Sequence, residues 1–103
     1  MAKSRAYTET LKETLSDPED AAAYLNAALE EDDPAAFLLA LKDVADVHGG
    51  LTTLAQATEL NRENMYRMLS GDGNPRISSL SALLHALGLR LSVTPAKSRR
   101  TAA

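Results

Sequence analysis

Apolar residues recur along this chain at helical spacing. Ala21, Tyr24, Leu25, Ala28 and Leu29 form one stripe at intervals of three and four. Asp17-Pro18 opens it, with a carboxylate able to cap free N–H groups and a proline where no donor is needed. Glu19 and Asp20 occupy the first turn, where the helix dipole favours negative charge. The acidic run Glu30-Glu31-Asp32-Asp33 ends the stripe, and Asp33-Pro34 repeats the opening signal. The second predicted helix carries Phe37, Leu38, Leu41, Val44, Ala45 and His48 on its inner side. Gly49-Gly50 stops it, since glycine takes the left-handed geometry of a helix C-terminus at little cost.

Two short helices follow. The first has Leu51, Leu54, Ala55 and Thr58 on one side. Asn61 can cap the second, which runs from Arg62 to about Ser70 and turns Met65, Met68 and Leu69 inward. Gly71 terminates it, and GDGNPR reads as a loop. A last helix begins between Arg76 and Ser78, carries Leu80, Leu83, Leu84 and Leu87, and ends at Gly88. LRLSV then alternates as a short strand does, and Pro95 closes it. Three regions result: a partly ordered arm over 1–16, a domain over 17–95 and a flexible basic tail over 96–103. The expected class is all-α, with one short extended strand near the C-terminus.

Composition sharpens this picture. At 103 residues, 45% of them hydrophobic, the chain fits one folded domain with a modest core. The apolar content is mostly leucine and alanine, which favours helix over strand. With no cysteine, a disulfide framework and a thiolate zinc site are excluded. His48 and His85 are too few and too far apart in sequence to suggest a metal site, and no cofactor is expected. Neither a nucleophile–base–orienter set nor a phosphate-binding glycine loop before a helix is present, so an enzyme is not expected. No signal-peptide pattern opens the chain, and no window reaches the roughly 18 apolar residues of a membrane span, so a soluble, cytoplasmic protein is expected.

The net charge of −3 hides an asymmetry. Residues 1–50 hold four basic and eleven acidic residues, a balance of −7; residues 51–103 hold seven basic and three acidic, a balance of +4. The basic half can approach phosphates, whereas the acidic half repels them. The basic half also contains the window 51–70, whose short helix, tight turn and short helix have the architecture of a helix-turn-helix. Ala55 is small where the two helices would cross. With Met65, Met68 and Leu69 inward, the second helix exposes Glu63, Tyr66, Arg67 and Ser70, flanked by Arg62 and Asn64, with Asn61 at its start. Arg67 can read guanine through two hydrogen bonds, and Arg62 can do the same or grip phosphate. Asn64 suits adenine or phosphate. Tyr66 offers a hydroxyl or a ring, and Glu63 accepts from cytosine or repels wrong sequences. An ordinary solvated helix face is the alternative reading of the same residues.

The run TLAQATELNRENMYRMLSGDGNPRISSLSALLHALGLRL resembles the Cro-repressor-like, Xre-type helix-turn-helix family. There a Gly-x-x-Asn-Pro loop follows the recognition helix and precedes a leucine-rich helix, matched here by Gly71 to Pro75 and Leu80 to Leu87. Glu59 stands where the family's turn often has glycine; a left-handed backbone there would cost about 1 kcal/mol. More narrowly, residues 16–95 resemble addiction-module antidote proteins in DPEDAAAYLNAALEEDDPAAFLLALKDVA and in the ending ALGLRLSV. The resemblance implies a bundle of about five helices with a lambda-repressor-like helix-turn-helix, acting as a dimeric repressor and as the antitoxin of a type II toxin–antitoxin module. Its implied partners are double-stranded operator DNA and a small basic toxin of the RelE/ParE-like type, neutralised by direct binding. The acidic N-terminal half suits such a toxin or merely aids solubility, and Tyr7, Leu11 and Leu15 would anchor an arm that folds on binding. Leu89, Leu91 and Val93 need either a two-fold mate's strand or a packed position on the body. A protein-interaction module that no longer binds DNA and a stand-alone phage-type repressor without a toxin are the competing readings.

Overall fold

In a computed structural model the protein is described over residues 12–58, 60–70 and 73–96. The first helix, α1, has residues 12–16 as its described part. It is followed by α2 (Pro18–Leu29), α3 (Pro34–Val47), α4 (Gly50–Ala57), α5 (Arg62–Met68) and α6 (Ile77–Ala86). The chain is all-helical among the described residues. No helix among them is long and apolar enough to cross a membrane.

The starts of α2 and α3 follow the same chemistry. Asp17 Oδ1 accepts from the Glu19 amide at 3.1 Å, and Asp33 Oδ1 from the Ala35 amide at 3.1 Å. Proline is the first residue of each helix, where its missing N–H costs nothing. Between them Asp32 takes the left-handed conformation, φ 57°, which turns α3 back against α2. The Tyr24 hydroxyl donates to Asp43 Oδ2 at 2.8 Å across this hairpin. Gly49 and Gly50 then reverse the chain from α3 into α4 with φ of 101° and 84°, a conformation costing other residues about 1–2 kcal/mol each.

One core serves the whole chain. Its fully buried side chains are Leu15, Leu41, Val44, Met65, Leu69 and Leu83, contributed by α1, α3, α5, the end of α5 and α6. The short α4 lies in their midst, packed against α3, α5 and α6 through Leu51 and Leu54. Leu80 and Phe37 close the edges, half-buried.

Both ends of the described chain depart from expectation. Leu15, read as a docking anchor on an arm, is 0% exposed and belongs to the core. His48 at the end of α3 holds it there, with Nε2 lying 3.2 Å from the Leu15 carbonyl. A carbonyl only accepts, so the imidazole carries its proton on Nε2. The second departure concerns the alternating LRLSV segment, which has no strand partner here: the described residues contain no strand. The Leu89 amide is used by the end of α6, where it donates to the Leu84 carbonyl at 2.8 Å while Gly88 donates to His85 at 3.0 Å. That is a Schellman closure, and it folds Leu89 onto the core. Beyond it, residues 90–96 have no neighbouring strand among the described residues to complete a ladder.

Truncating Leu15 removes a side chain that fills the core. Leu15→Ala is expected to cost 2–5 kcal/mol in a urea titration, by analogy with other buried leucines, while Lys12→Ala changes stability little. A Leu15→Ala protein as stable as the parent would show that the first helix is not part of the core.

Candidate nucleic-acid interface

Helix α5 is too short to persist alone, since isolated helices below about 12–15 residues are marginal in water. Three contacts hold it. Asn61 Oδ1 accepts from the Asn64 amide at 2.7 Å and caps its start. Met65 and Met68 are buried within it, and Leu69 just after it. The third contact is steric. Gly73 packs so closely on the end of α5 that a Cβ would stand 2.3 Å from the Met68 carbonyl oxygen and 2.8 Å from that of Arg67. Glycine is required here for close approach, in addition to the turn expected from GDGNPR. The amide of Gly73 donates to the Ser70 carbonyl at 2.9 Å and fixes the loop against the helix end.

With the inner side fixed, the outer side follows. Asn61, Arg62, Glu63, Asn64, Tyr66, Arg67 and Ser70 are all exposed, as predicted. They are arranged in pairs. Arg62 donates from Nη1 to Thr52 Oγ1 at 3.3 Å, and its guanidinium lies over the Tyr66 ring, 6.0 Å from the centroid. Arg67 Nη2 lies 3.8 Å from Glu63 Oε2, one helical turn away. An exposed pair of this kind is weak and screened by salt, so Arg67 is easily redirected. The Ser70 hydroxyl donates to the Arg67 carbonyl at 2.9 Å and terminates the helix.

A polar groove runs beside α5, between it and residues 73–79. Asn64, Arg67, Ser70, Asn74, Arg76 and Ser79 line it. Thr52, Asn74 and Arg76 were not singled out from the sequence. For Arg76 a signal existed, because it is a base of the positive half standing directly before α6. Thr52 had none, because its place beside Arg62 depends on how α4 crosses α5.

The remaining predicted residues lie elsewhere. Leu89 is half-buried, Leu91 is 42% exposed and Val93 97% exposed, and none of them lines this groove. Leu15 is in the core, whereas Tyr7, Leu11, Glu59 and Gly71 fall outside the described residues. Among the described residues no group of three or more histidines and carboxylates gathers as a metal site would require.

The chemistry of this surface is that of donor-rich side chains raised on a short, firmly seated helix, on a globule with no strands among its described residues. Comparison with known proteins defines the class further. The family model described as "probable addiction module antidote protein" matches residues 7–95, so the chain belongs to that family. The match takes in the N-terminal segment containing Tyr7, Leu11 and Leu15 as well as α2 to α6. An uncharacterized protein of Haemophilus influenzae is 35% identical over 91 residues, which cover 84% of this chain and 93% of that relative. No solved structure matches the chain.

Gly73→Ala drives a methyl group into the last turn of α5. It is expected to cost about 1–3 kcal/mol, the range for overpacking at a tight contact, read as a lower urea midpoint with an unchanged slope. An unaltered midpoint would show that the loop does not press on the helix.

Proposed function

We propose that this protein is the antitoxin of a type II toxin–antitoxin module, repressing its own operator as a dimer and neutralising a small basic toxin of the RelE/ParE-like type. In this reading α4 and α5 are an Xre-type helix-turn-helix, and α5 is its recognition helix. One observation carries the reading: α5 is anchored through its methionines and its cap, while Arg62, Glu63, Asn64, Tyr66, Arg67 and Ser70 are exposed. A helix held this way can enter a major groove without losing its own support.

The roles divide along the surface. Arg67 exchanges Glu63 for the edge of a guanine, and Asn64 pairs with adenine or phosphate. Arg62, braced by Thr52 and Tyr66, grips phosphate with Arg76 and Ser70 across the adjoining groove. Glu63 accepts from a cytosine amine and disfavours other bases. A two-fold dimer would present two such helices to half-sites about 34–36 Å apart. Toxin binding falls to the acidic half, whose balance of −7 complements a basic partner. The protein works in the cytoplasm by binding alone, without catalysis.

A second reading has its own support. The Arg67–Glu63 pair and the net charge of −3 suit a protein-interaction module that has given up DNA. Fluorescence anisotropy on the DNA upstream of the gene separates the two. Arg67→Ala should weaken operator binding by about 1–3 kcal/mol, on the order of 10–100-fold, with toxin neutralisation intact. Affinity of the parent protein should fall steeply as salt rises, through counterion release. A parent protein that binds operator and random DNA equally poorly at low salt would leave the interaction module as the answer.

A further inference from the structure

Away from α5 the surface carries a second, apolar feature. Leu29 at the end of α2 is 56% exposed, and Phe37 on α3 is half-buried beside it. These two, with Leu84, Leu89 and Leu91, wall a shallow groove between α2, α3 and the segment after α6. Val93 follows Leu91 at the alternating position and is 97% exposed. Among the described residues, the backbone of 90–96 forms no hydrogen bond. An apolar groove thus lies next to a run of free amides and carbonyls, which an extended peptide would satisfy. Charge is placed to match. The acidic turn Glu30–Asp33 follows Leu29 directly, and Asp32 and Asp33 share the surface of Leu29 and Phe37. Three basic residues, Lys97, Arg99 and Arg100, follow the unpaired segment in sequence.

We propose that this groove seats the C-terminal segment of a second copy of this chain, so that residues 90–96 of the two copies pair about a two-fold axis. The inference deepens the dimer of the functional reading by naming its surface. Antiparallel pairing centred on Ser92 sets Leu91 opposite Val93 of the second copy, and the reverse. All four side chains then share one face of the ribbon, because positions 91 and 93 alternate with Ser92. That face lies down on Leu29 and Phe37. The basic residues that follow position 96 in sequence complement in charge the Glu30–Asp33 turn of the other copy. A second copy satisfies every feature at once: it brings an extended apolar segment, free backbone groups and positive charge, and the contact closes on itself.

Analytical ultracentrifugation of the full chain, without DNA, tests this. The parent protein should sediment as a dimer. Val93→Asp should raise the dimer dissociation constant by on the order of a hundredfold, as loss of a central anchor does. Its helicity should stay unchanged, because Val93 touches almost nothing within its own chain, and its melting should lose any dependence on protein concentration. A charge exchange identifies which chain the tail meets. Glu30→Lys with Glu31→Lys in one protein, and Arg99→Glu with Arg100→Glu in another, should each weaken self-association. Mixing the two should restore it as a heterodimer, in which both turn–tail contacts become attractive again. A monomeric parent, a dimeric Val93→Asp protein, or a mixture that fails to rescue would each overturn the proposal; the last would mean that the tail serves its own chain. If Val93→Asp abolishes toxin capture by a parent that is monomeric, the groove belongs to the toxin. Arg67→Ala should remain dimeric, so failure of the DNA reading and failure of this surface are separately visible.

Discussion

Burial of Met65, Met68 and Leu69 is the constraint on which the candidate interface depends. A seven-residue helix has too few internal hydrogen bonds to offset its nucleation cost. Its geometry is therefore borrowed from the core it plugs into and from the two devices at its ends. Asn61 satisfies the first free amides, and Gly73 lets the following loop press on the last carbonyls. Together they fix the rotation of α5 about its axis. That rotation decides which side chains face outward. Turning the helix by one residue, about 100°, would bury Asn64 or Tyr66 in place of Met65. The polar surface is thus a consequence of apolar packing behind it.

The same logic reconciles an acidic protein with the proposed contact to phosphates. Net charge governs behaviour at long range, but screening limits exposed charges to roughly 8–10 Å at physiological salt. What a DNA backbone would meet at close range is the local set: Arg62, Arg67 and Arg76 against Glu63. The described carboxylates of the first half are a different surface feature, most of them at the start of α2 and at the α2–α3 turn. Glu63 is the informative exception. A carboxylate on the exposed side of α5 weakens attraction for any phosphate, and so makes sense only if discrimination matters more there than affinity.

Much of this arrangement was legible in the residues, and the reasons are local. Asp17-Pro18, Asp33-Pro34 and Asn61 act through hydrogen bonds two or three residues away, so their signals survive in the linear chain. The inward and outward sides of α5 follow from a 100° step and needed no tertiary information. What the sequence could not convey depends on elements far apart. Leu15 could be read as an anchor but not assigned to the core, because its burial and the contact of its carbonyl with His48, 33 residues away, are tertiary. LRLSV looked like a strand because alternation is a real signal, but within one chain the Leu89 amide closes α6 and residues 90–96 find no ladder. Thr52 was invisible for the same reason, being given its role by the crossing of α4 and α5.

A shared core has a further consequence for how two partners would be served. The acidic α2–α3 hairpin and the α4–α5 pair are not independent modules, since α4 touches α3, α5 and α6 at once. A distortion of the hairpin would meet the buried side chains Leu41, Val44 and Leu51, and close-packed side chains resist continuous deformation. Surface events on the hairpin that leave these side chains in place leave the orientation of α5 unchanged. Coupling between the two ends is then more naturally carried by assembly than by strain. A contact that changes how copies of the chain are held together changes the spacing of two α5 helices while each helix keeps its own geometry. In a protein this small, with its glycine turn at 49–50 fixing α3 against α4, the position of one subunit relative to another is a softer variable than the fold itself.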